Sequence, residues 1–330
     1  MTIPVLIDMA VKKVLVLGNG NLCRSIITAL CAHQSLYSTC DYKITVLTYP
    51  SQTLKLLSEI STIHLQHKTS DFTSPALQAA FTGHDIVIST VAGSDSELQI
   101  RIINAVIAAG VKRFIPHEFS HDSLNGQLQA RLPKHAERAN VISHLKSLSE
   151  GNPNLEWTAI STGYTLDANL LSGDMGFDME WHSVTIHGTG TELFAASSLT
   201  RVGQVVARVI ANWEKTKYQY IYAAGTVTSA NEVLRAIEKA TGQQFAVGHY
   251  GVEECIEEGQ KRIERGYPDS GLALLERSVL YDKQLDASTP FRTHTTNDML
   301  GLAAESVDAI VTEVYHSFRR LGKPSCGCSA

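Results

Sequence analysis

The chain has 330 residues, of which 44% are hydrophobic and 18% are charged, and its formal net charge is −5. This composition is ordinary for a globular protein, and the slight excess of acidic residues argues against a nucleic-acid partner. No apolar run is long enough to cross a bilayer and no secretory signal pattern is present, so we expect a soluble cytoplasmic protein with no membrane partner. The six scattered cysteines favour reduced thiols over a disulfide framework.

A glycine-rich turn follows the first predicted strand. Residues 14–17 are consecutive apolar residues typical of a buried strand, and the motif G-N-G-N-L-C at 18–23 leads from them into a helical pattern. In this setting Gly18 permits the turn, and Gly20 lets the backbone approach a dinucleotide pyrophosphate at the helix N-terminus. Cys23 takes the third small-residue position of G-x-G-x-x-G, which favours close helix–strand packing. The alternative is a glycine turn that binds no ligand.

Strands and helices alternate through the first half of the chain. Further strands are predicted at 43–48, 62–67, 85–91, 111–116 and 157–160, and helices at 54–60, 75–80, 97–109 and 131–148. This alternation predicts an α/β, Rossmann-type, doubly wound parallel sheet with right-handed crossovers. Ligands of such sheets bind beyond the carboxyl ends of the strands, and small and polar residues collect at these ends here.

The second half is less regular. Residues 163–198 are rich in Gly, Asp and Thr, with a weak hairpin signal around 184–190, and we expect an irregular segment that covers a substrate. The remaining pattern predicts a strand at 219–223 and helices at 201–212, 231–241 (with Ser229 as N-cap) and 306–321.

Several fragments resemble, in order, a known family. They are the glycine turn at 14–24, the strands at 44–48 and 85–89, V-K-R-F-I-P-H-E-F-S at 111–120 and L-E-W-T-A-I-S-T-G at 155–163. Together they are similar to the isoflavone reductase-like branch of the NmrA-like atypical short-chain dehydrogenases, over roughly residues 12–213.

The resemblance implies a domain organisation and an activity. Residues 1–162, joined by about 200–225, would form the NAD(P)-binding Rossmann domain, and 163–330 would be mostly a smaller C-terminal substrate lobe. The activity implied is an NADPH-dependent reductase of a small secondary metabolite, aromatic or polyketide- or alkaloid-like, with hydride transfer to an unsaturated carbon, carbonyl or imine. Two alternatives remain open: a non-redox cyclase, isomerase or dehydratase on the same fold, and a nucleotide-sensing regulatory protein.

Three positions depart from the family pattern. Cys23 stands where the family has Gly, and Tyr49 stands where an Arg usually contacts the 2′-phosphate. Arg138 stands where the family's general acid/base Lys lies, and Lys134 is a possible substitute one helical turn away. Arginine keeps its charge at any ordinary pH, so Arg138 can orient a substrate and stabilise an oxyanion but hardly exchanges a proton.

Four side chains are candidates for catalysis: Lys134, Arg138, Glu118 and Tyr164. Glu118 either positions the nicotinamide or a catalytic partner, or caps a neighbouring helix. Tyr164 either donates to a substrate carbonyl or stacks in a lobe interface.

The predicted cofactor contacts follow the strand ends: Gly18, Gly20, Asn21, Leu22, Cys23, Thr48, Tyr49, Thr90, Val91, Ala92, His117 and Gly163. No Asp or Glu follows the strand at 44–48 to bind a ribose 2′-hydroxyl, and Arg24 lies nearby, so we expect NADP(H) rather than NAD(H). We predict no metal site, since His182, His187 and Asp178 lack helical ligand spacing. The expected partner is a small-molecule substrate, with a homodimer possible.

Overall fold

A computed structural model describes residues 11–36, 42–54, 64–91, 96–152 and 154–322. The predicted helix at 54–60, apart from its first residue, and the predicted cofactor residue Ala92 therefore fall on residues outside the described ranges. The chain forms two compact units. Of the described residues, unit 1 contains those up to 118 together with those in 137–160 and 202–221, and unit 2 contains 119–136, 161–201 and 222–322.

The strands, in chain order, are β1 (Lys13–Leu17), β2 (Lys43–Thr48), β3 (His64–Thr69), β4 (Ile86–Ser89), β5 (Arg113–Ile115), β6 (Glu156–Ser161), β7 (Tyr164–Thr165), β8 (Phe177–Asp178), β9 (Ser183–His187), β10 (Phe194–Ser197), β11 (Gln219–Tyr222), β12 (Thr226–Thr228) and β13 (Ala246–Tyr250).

The α-helices are α1 (Asn21–Leu36), α2 (Ser74–Phe81), α3 (Ser96–Ala108), α4 (Gly126–Arg131), α5 (Pro133–Gly151), α6 (Leu166–Ser172), α7 (Leu199–Ala211), α8 (Trp213–Thr216), α9 (Ala230–Thr241), α10 (Val252–Glu264), α11 (Pro268–Val279), α12 (Thr289–Thr293), α13 (Asn297–Leu300) and α14 (Val307–Leu321). Among these described helices, none has the length and apolar content that crossing a bilayer requires.

The large sheet has seven strands in the order β11-β6-β5-β4-β1-β2-β3. The pairs of β1 with β2 and β4, β2 with β3, β4 with β5, and β5 with β6 are all parallel. Strand order reverses between β1 and β4, and this reversal is where doubly wound sheets bind their ligands. The predicted Rossmann-type architecture is therefore confirmed, and the apolar strand residues form a buried core with α2, α3 and α5.

The helix predicted at 131–148 corresponds to α5, which begins at Pro133, and a short separate helix, α4, precedes it. Asn125 caps α4 by accepting hydrogen bonds from the backbone N–H groups of Gln127 and Leu128. Leu132 then has an extended backbone, with φ −124° and ψ 95°, and Pro133 begins α5. A residue before proline avoids the helical region, so the chain breaks there.

Unit 2 contains two three-stranded sheets, in the orders β12-β10-β7 and β13-β9-β8. The expectation of an irregular segment at 163–198 is wrong, because this segment supplies β7 to β10 and helix α6. Its strands are only two to five residues long, so they show little of the alternation that identifies a strand. Of the hairpin predicted around 184–190, only β9 is found there; its antiparallel partner β8 lies before it, where Phe177 pairs with Val184.

Residues 119–136 also differ from the predicted division, which placed them in the first domain. In the structure they cluster with unit 2. The reason is apolar packing: Leu128 and Leu132 are buried in the unit 2 core together with Tyr164 and Phe194.

Candidate active site

Gly18 ends β1 in a conformation that requires glycine. Its φ is +108°, and a Cβ there would lie 2.7 Å from Thr90 Oγ1. Its N–H donates to the carbonyl of Leu47 at 2.9 Å, and the N–H of Thr90 donates to the carbonyl of Leu17 at 3.0 Å. The turn is therefore fixed by the neighbouring strands on both sides of β1.

Gly20 differs from Gly18, because a Cβ at Gly20 would meet no atom within 4 Å. Helix α1 begins at the next residue, Asn21, and the N–H of Arg24 donates to the carbonyl of Gly20 at 3.1 Å. Asn21 is exposed and Leu22 is half-buried. The open space beside a helix N-terminus fits a pyrophosphate, which binds free backbone N–H groups and the positive end of the helix dipole.

Cys23 is fully buried in the first turn of α1. Burial raises the pKa of its thiol to about 12, although a hydrogen bond with Thr90 acts in the opposite direction. The side chain is thus a neutral thiol packed against the end of β4. Its small size serves helix–strand packing, as the motif predicts.

The end of β2 carries Thr48 and Tyr49. Thr48 is fully buried, and its Oγ1 lies 2.8 Å from Nε2 of His67. The Tyr49 ring stacks on Phe72 with centroids 4.1 Å apart and an interplanar angle of 21°. The Thr48 hydroxyl is bonded within the protein, whereas the half-buried Tyr49 presents one side to solvent.

Gln99 organises the end of β4, and sequence reasoning missed it. Its Nε2 donates to the carbonyl of Val91 at 3.2 Å, and its Oε1 accepts from the Ser89 hydroxyl at 3.2 Å. Gln99 is buried on α3. It therefore fixes the backbone at Thr90 and Val91, the two described positions predicted to contact the cofactor there.

His117 and Glu118 follow β5 and line a small pocket with Pro116 and Arg138. Glu118 is 1% exposed and accepts a hydrogen bond from the Tyr220 hydroxyl at 2.9 Å. The pocket volume is about 10 Å³, which is room for about one water molecule.

Arg138 points into this pocket. Its Nη2 lies 3.4 Å from Nε2 of His117. Its Nη1 is buried and has no hydrogen-bond partner within the described part of the chain. A buried guanidinium N–H group without a hydrogen-bond partner in the protein is suited to donate a hydrogen bond to a polar group of a bound ligand.

Lys134 lies one turn before Arg138 on α5 but contacts different groups. Its Nζ is 2.7 Å from Oε2 of Glu276 on α11. The two line a pocket of about 230 Å³ in unit 2 together with Tyr164 and Asn169. Nothing in the sequence pattern pairs Lys134 with Glu276, because the two residues are 142 positions apart.

Tyr164 is 2% exposed and stacks on His121, with centroids 5.8 Å apart and an interplanar angle of 27°. Burial and the charge of Glu276 raise the pKa of the Tyr164 hydroxyl well above its usual value. The hydroxyl therefore keeps its proton at neutral pH and can act only as a hydrogen-bond donor or acceptor. The ring therefore stacks within unit 2 and also lines the pocket that contains Lys134, while its predicted contact with a substrate carbonyl stays a prediction.

Gly163 precedes Tyr164 with φ +74°, and a Cβ there would lie 2.5 Å from the carbonyl oxygen of Ala195. Its N–H donates to the carbonyl of Ser120 at 3.0 Å. The close approach of β10 thus explains the glycine. Its predicted cofactor contact stays a prediction.

No group of three His, Cys, Asp or Glu side chains among the described residues has an arrangement that could hold a metal ion.

The sequence profile of the NmrA-like family matches residues 10–265, well over half of the chain. The chain belongs to the NmrA-like family. Oxidoreductase aprR of Aspergillus flavus is 29% identical to it over 93% of this chain and 99% of its own length. Oxidoreductase poxI of Penicillium oxalicum is 30% identical over 74% of this chain and 79% of its own. This NmrA-like protein is an oxidoreductase, as both curated relatives are named.

Solved structures agree on the fold. A crystal structure of isoflavone reductase superposes with a TM-score of 0.70 at 20% identity, covering 92% of this chain and 99% of that one. A binary complex of leucoanthocyanidin reductase and NADPH from Vitis vinifera gives a TM-score of 0.72 at 18% identity, with coverages of 92% and 99%. The profile therefore confirms the predicted resemblance to the NmrA-like family, and these structures confirm its fold.

Proposed function

We propose that this NmrA-like oxidoreductase is an NADP(H)-dependent reductase of a small secondary metabolite. The observation that carries the proposal is the open space over Gly20 at the N-terminus of α1, beside the point where the strand order reverses. This is the position at which a doubly wound sheet binds a dinucleotide.

The residues of the glycine turn and of the first turn of α1 are suited to bind the cofactor. Gly18 and Gly20 let the backbone follow the pyrophosphate, and the first N–H groups of α1 bind its charge. Arg24 is half-buried in the first turn of α1, where its guanidinium hydrogen-bonds to Asn21 Oδ1. With no acidic residue directly after β2, Arg24 is suited to a ribose 2′-phosphate. The leucoanthocyanidin reductase structure, whose complex contains NADPH, supports the same choice.

Bound NADPH would supply a hydride to an unsaturated carbon, a carbonyl or an imine. The reduction also needs a proton, and Lys134 is the group of this chain that we assign to deliver it, from Nζ. Glu276 holds the ammonium group in place at 2.7 Å. The protonated Tyr164 hydroxyl lines the same pocket and would donate a hydrogen bond to the substrate.

Arg138 and Glu118 have positioning roles in this proposal. Arg138 carries a fixed charge and a buried Nη1 that can bind a polar group of the cofactor or substrate. Glu118 is held by Tyr220 and faces the same pocket as His117.

Calorimetric titration with NADPH and with NADH tests the cofactor assignment, and we expect tighter binding of NADPH. The purified protein is then mixed with NADPH and a panel of aryl ketones, enones and cyclic imines, and loss of NADPH fluorescence is followed. Consumption of NADPH with formation of a reduced product supports the proposal. Tighter binding of NADH, or a product formed with NADPH unchanged, contradicts it.

A further inference from the structure

A second pocket in unit 1, of about 380 Å³, lies away from the glycine turn. Its charged lining groups include Lys13, Lys43 and Lys68, and none of the described residues that line it is acidic. Lys13 and Lys43 begin β1 and β2, so the pocket lies toward the amino ends of these strands. The cofactor residues proposed above follow the opposite, carboxyl ends.

The strand register brings the lysines to one face of the sheet. Lys13 pairs with Lys43, and Thr45 pairs with Gln66. Paired residues of neighbouring parallel strands point to the same face of the sheet, and so do residues two apart on one strand. Thr45 therefore shares the face of Lys43, and Lys68 shares the face of Gln66, so all three lysines lie on one side. All three lysines are exposed, and within the described residues none of them forms an ion pair. Their charges are therefore available to a ligand.

His84 and Thr45 also line this pocket. Nδ1 of His84 lies 3.0 Å from the carbonyl oxygen of Phe81, and its Nε2 lies 3.0 Å from Thr45 Oγ1. A carbonyl only accepts, so Nδ1 carries a hydrogen, and the Nε2 of a neutral ring accepts the Thr45 hydroxyl hydrogen. Burial lowers the pKa of His84, which favours this neutral ring.

The groups around His84 shift its pKa in both directions. Lys68 and Lys13 lower its pKa, whereas the Phe81 carbonyl and the Asp85 carboxylate raise it. Asp85 is itself bonded to the backbone N–H groups of Lys12 and Lys13, both at 2.8 Å. An anion placed among the lysines would offset their repulsion of a protonated ring. The protonated ring would then donate to Thr45, and the Thr45 hydroxyl could donate to the anion.

We propose that this pocket is a binding site for a small organic phosphate, and that binding is coupled to protonation of His84. Lysine ammonium groups are common ligands of phosphate oxygens, and three lysines line this pocket together with a hydroxyl donor. The volume exceeds what one phosphate group fills, which favours an ester over free phosphate. The site is independent of the reductase reaction.

Sulfate is the first probe, because it keeps its double charge across the range in which histidine titrates. Calorimetry should show saturable sulfate binding whose affinity rises as the pH falls from about 7 to about 5, because burial holds the pKa of His84 without ligand below its usual value of about 6.5. The double substitution Lys13→Ala, Lys68→Ala should weaken it about tenfold. The matched control, Lys146→Ala with Lys215→Ala, removes the same charge from exposed lysines of unit 1 and should change affinity less than about twofold.

His84→Gln tests the coupling, since glutamine can hydrogen-bond but cannot gain a proton. We expect its sulfate affinity to stay flat over the same pH range while its melting temperature remains near that of the wild type. Competition by ribose 5-phosphate and by inorganic phosphate then identifies the source, with stronger competition by the ester indicating an organic phosphate. Absence of saturable binding, or binding that survives the loss of Lys13 and Lys68, overturns the proposal. An unchanged pH slope in His84→Gln overturns the coupling.

Discussion

Lys134 Nζ lies 2.7 Å from Glu276 Oε2 in a wall of the unit 2 pocket, where the two side chains are 30% and 22% exposed. The ion pair keeps an ammonium group at a defined place in the wall of the pocket that Tyr164 also lines. This arrangement gives the proposed proton donor a fixed position.

Replacing Lys134 with alanine should lower turnover about 100-fold or more, which is the usual scale for loss of a general acid. Lys134→Arg keeps the charge and the ion pair but holds its proton, so it should be almost as slow. Steady-state kinetics with saturating NADPH measures both variants, and circular dichroism confirms that they fold. Near-wild-type turnover in Lys134→Ala combined with Arg138→Ala would remove this helix from the mechanism and direct attention to Glu118 and Tyr164.

Gly20→Val should abolish NADPH binding and leave the fold intact. A Cβ at this position touches nothing in the protein, so the branched side chain would fill only the space proposed for the pyrophosphate. Calorimetric titration and a melting curve measure the two effects separately. If the folded variant binds NADPH with unchanged affinity, the glycine turn is purely structural.

Gly18→Ala should have the opposite effect and destabilise the protein. Its φ of +108° disfavours any side chain, and the new Cβ would lie 2.7 Å from Thr90 Oγ1. We expect a loss of about 1–3 kcal/mol in the free energy of unfolding, measured with urea. Gly20→Ala is the matched control and should stay within about 1 kcal/mol of the wild type. Equal stability of the two variants would contradict the strain assigned to Gly18.

Arg138→Ala should act on binding rather than on proton transfer. Its loss leaves His117 without the guanidinium 3.4 Å away and removes the buried Nη1 from the pocket. We expect about a tenfold rise in KM for substrate or NADPH with a smaller change in kcat, the pattern of lost uniform binding. Arg138→Lys restores the family residue and should recover most of the activity. A fall in kcat alone, with KM unchanged, would speak for a catalytic role instead.

Glu156 on β6 should make the stability of unit 1 sensitive to acid. Burial alone would raise the pKa of its carboxyl, but the Trp213 indole N–H at 2.7 Å and the charges of Lys112 and Lys217 outweigh burial and lower it. The pKa of Glu156 is thus lower in the folded protein than in the unfolded chain, where it is about 4.3. The stabilisation by its negative charge is therefore complete above about pH 4.3 and is lost as the pH falls through the pKa of the folded protein.

Glu156→Gln should therefore lower the free energy of unfolding by about 3 kcal/mol at neutral pH, because it removes the buried carboxylate that lies 3.6 Å from the buried guanidinium of Arg113. The difference from the wild type should shrink below about pH 4.3. Glu214→Gln is the control, since Glu214 pairs with the same Lys217 but is 50% exposed and should cost under about 1 kcal/mol. A pH-independent difference would show that Glu156 acts through packing alone.

The sequence predicted the parts of this fold whose signals are local. The strand at 43–48 has the predicted bounds, and Ser229 caps α9 by accepting from the N–H of Glu232. In the candidate site, the locally predictable part is the glycine turn, because Gly18, Gly20 and Cys23 belong to one known sequence pattern.

The missed features depend on contacts between distant residues. Glu276, Gln99 and Tyr220 each hold a predicted site residue, yet no spacing rule connects partners that lie on different elements. Helices α10 and α11 were also missed. They pack closely at Gly271, where a Cβ would lie 2.5 Å from the carbonyl oxygen of Gly259. Such contacts become visible only when the elements have been placed.

The interleaving of the two units has a consequence for how the chain is made. Unit 1 needs residues 202–221 to add β11 to its sheet, and unit 2 begins with residues 119–136. During synthesis from the N-terminus, neither unit is complete until most of the polypeptide has emerged. The exposed edge of β6 must wait for its neighbour about sixty residues later, an interval in which unpaired strand edges promote aggregation. Truncation near residue 162 would leave that edge permanently open, so expression of the full chain is the route to a folded protein.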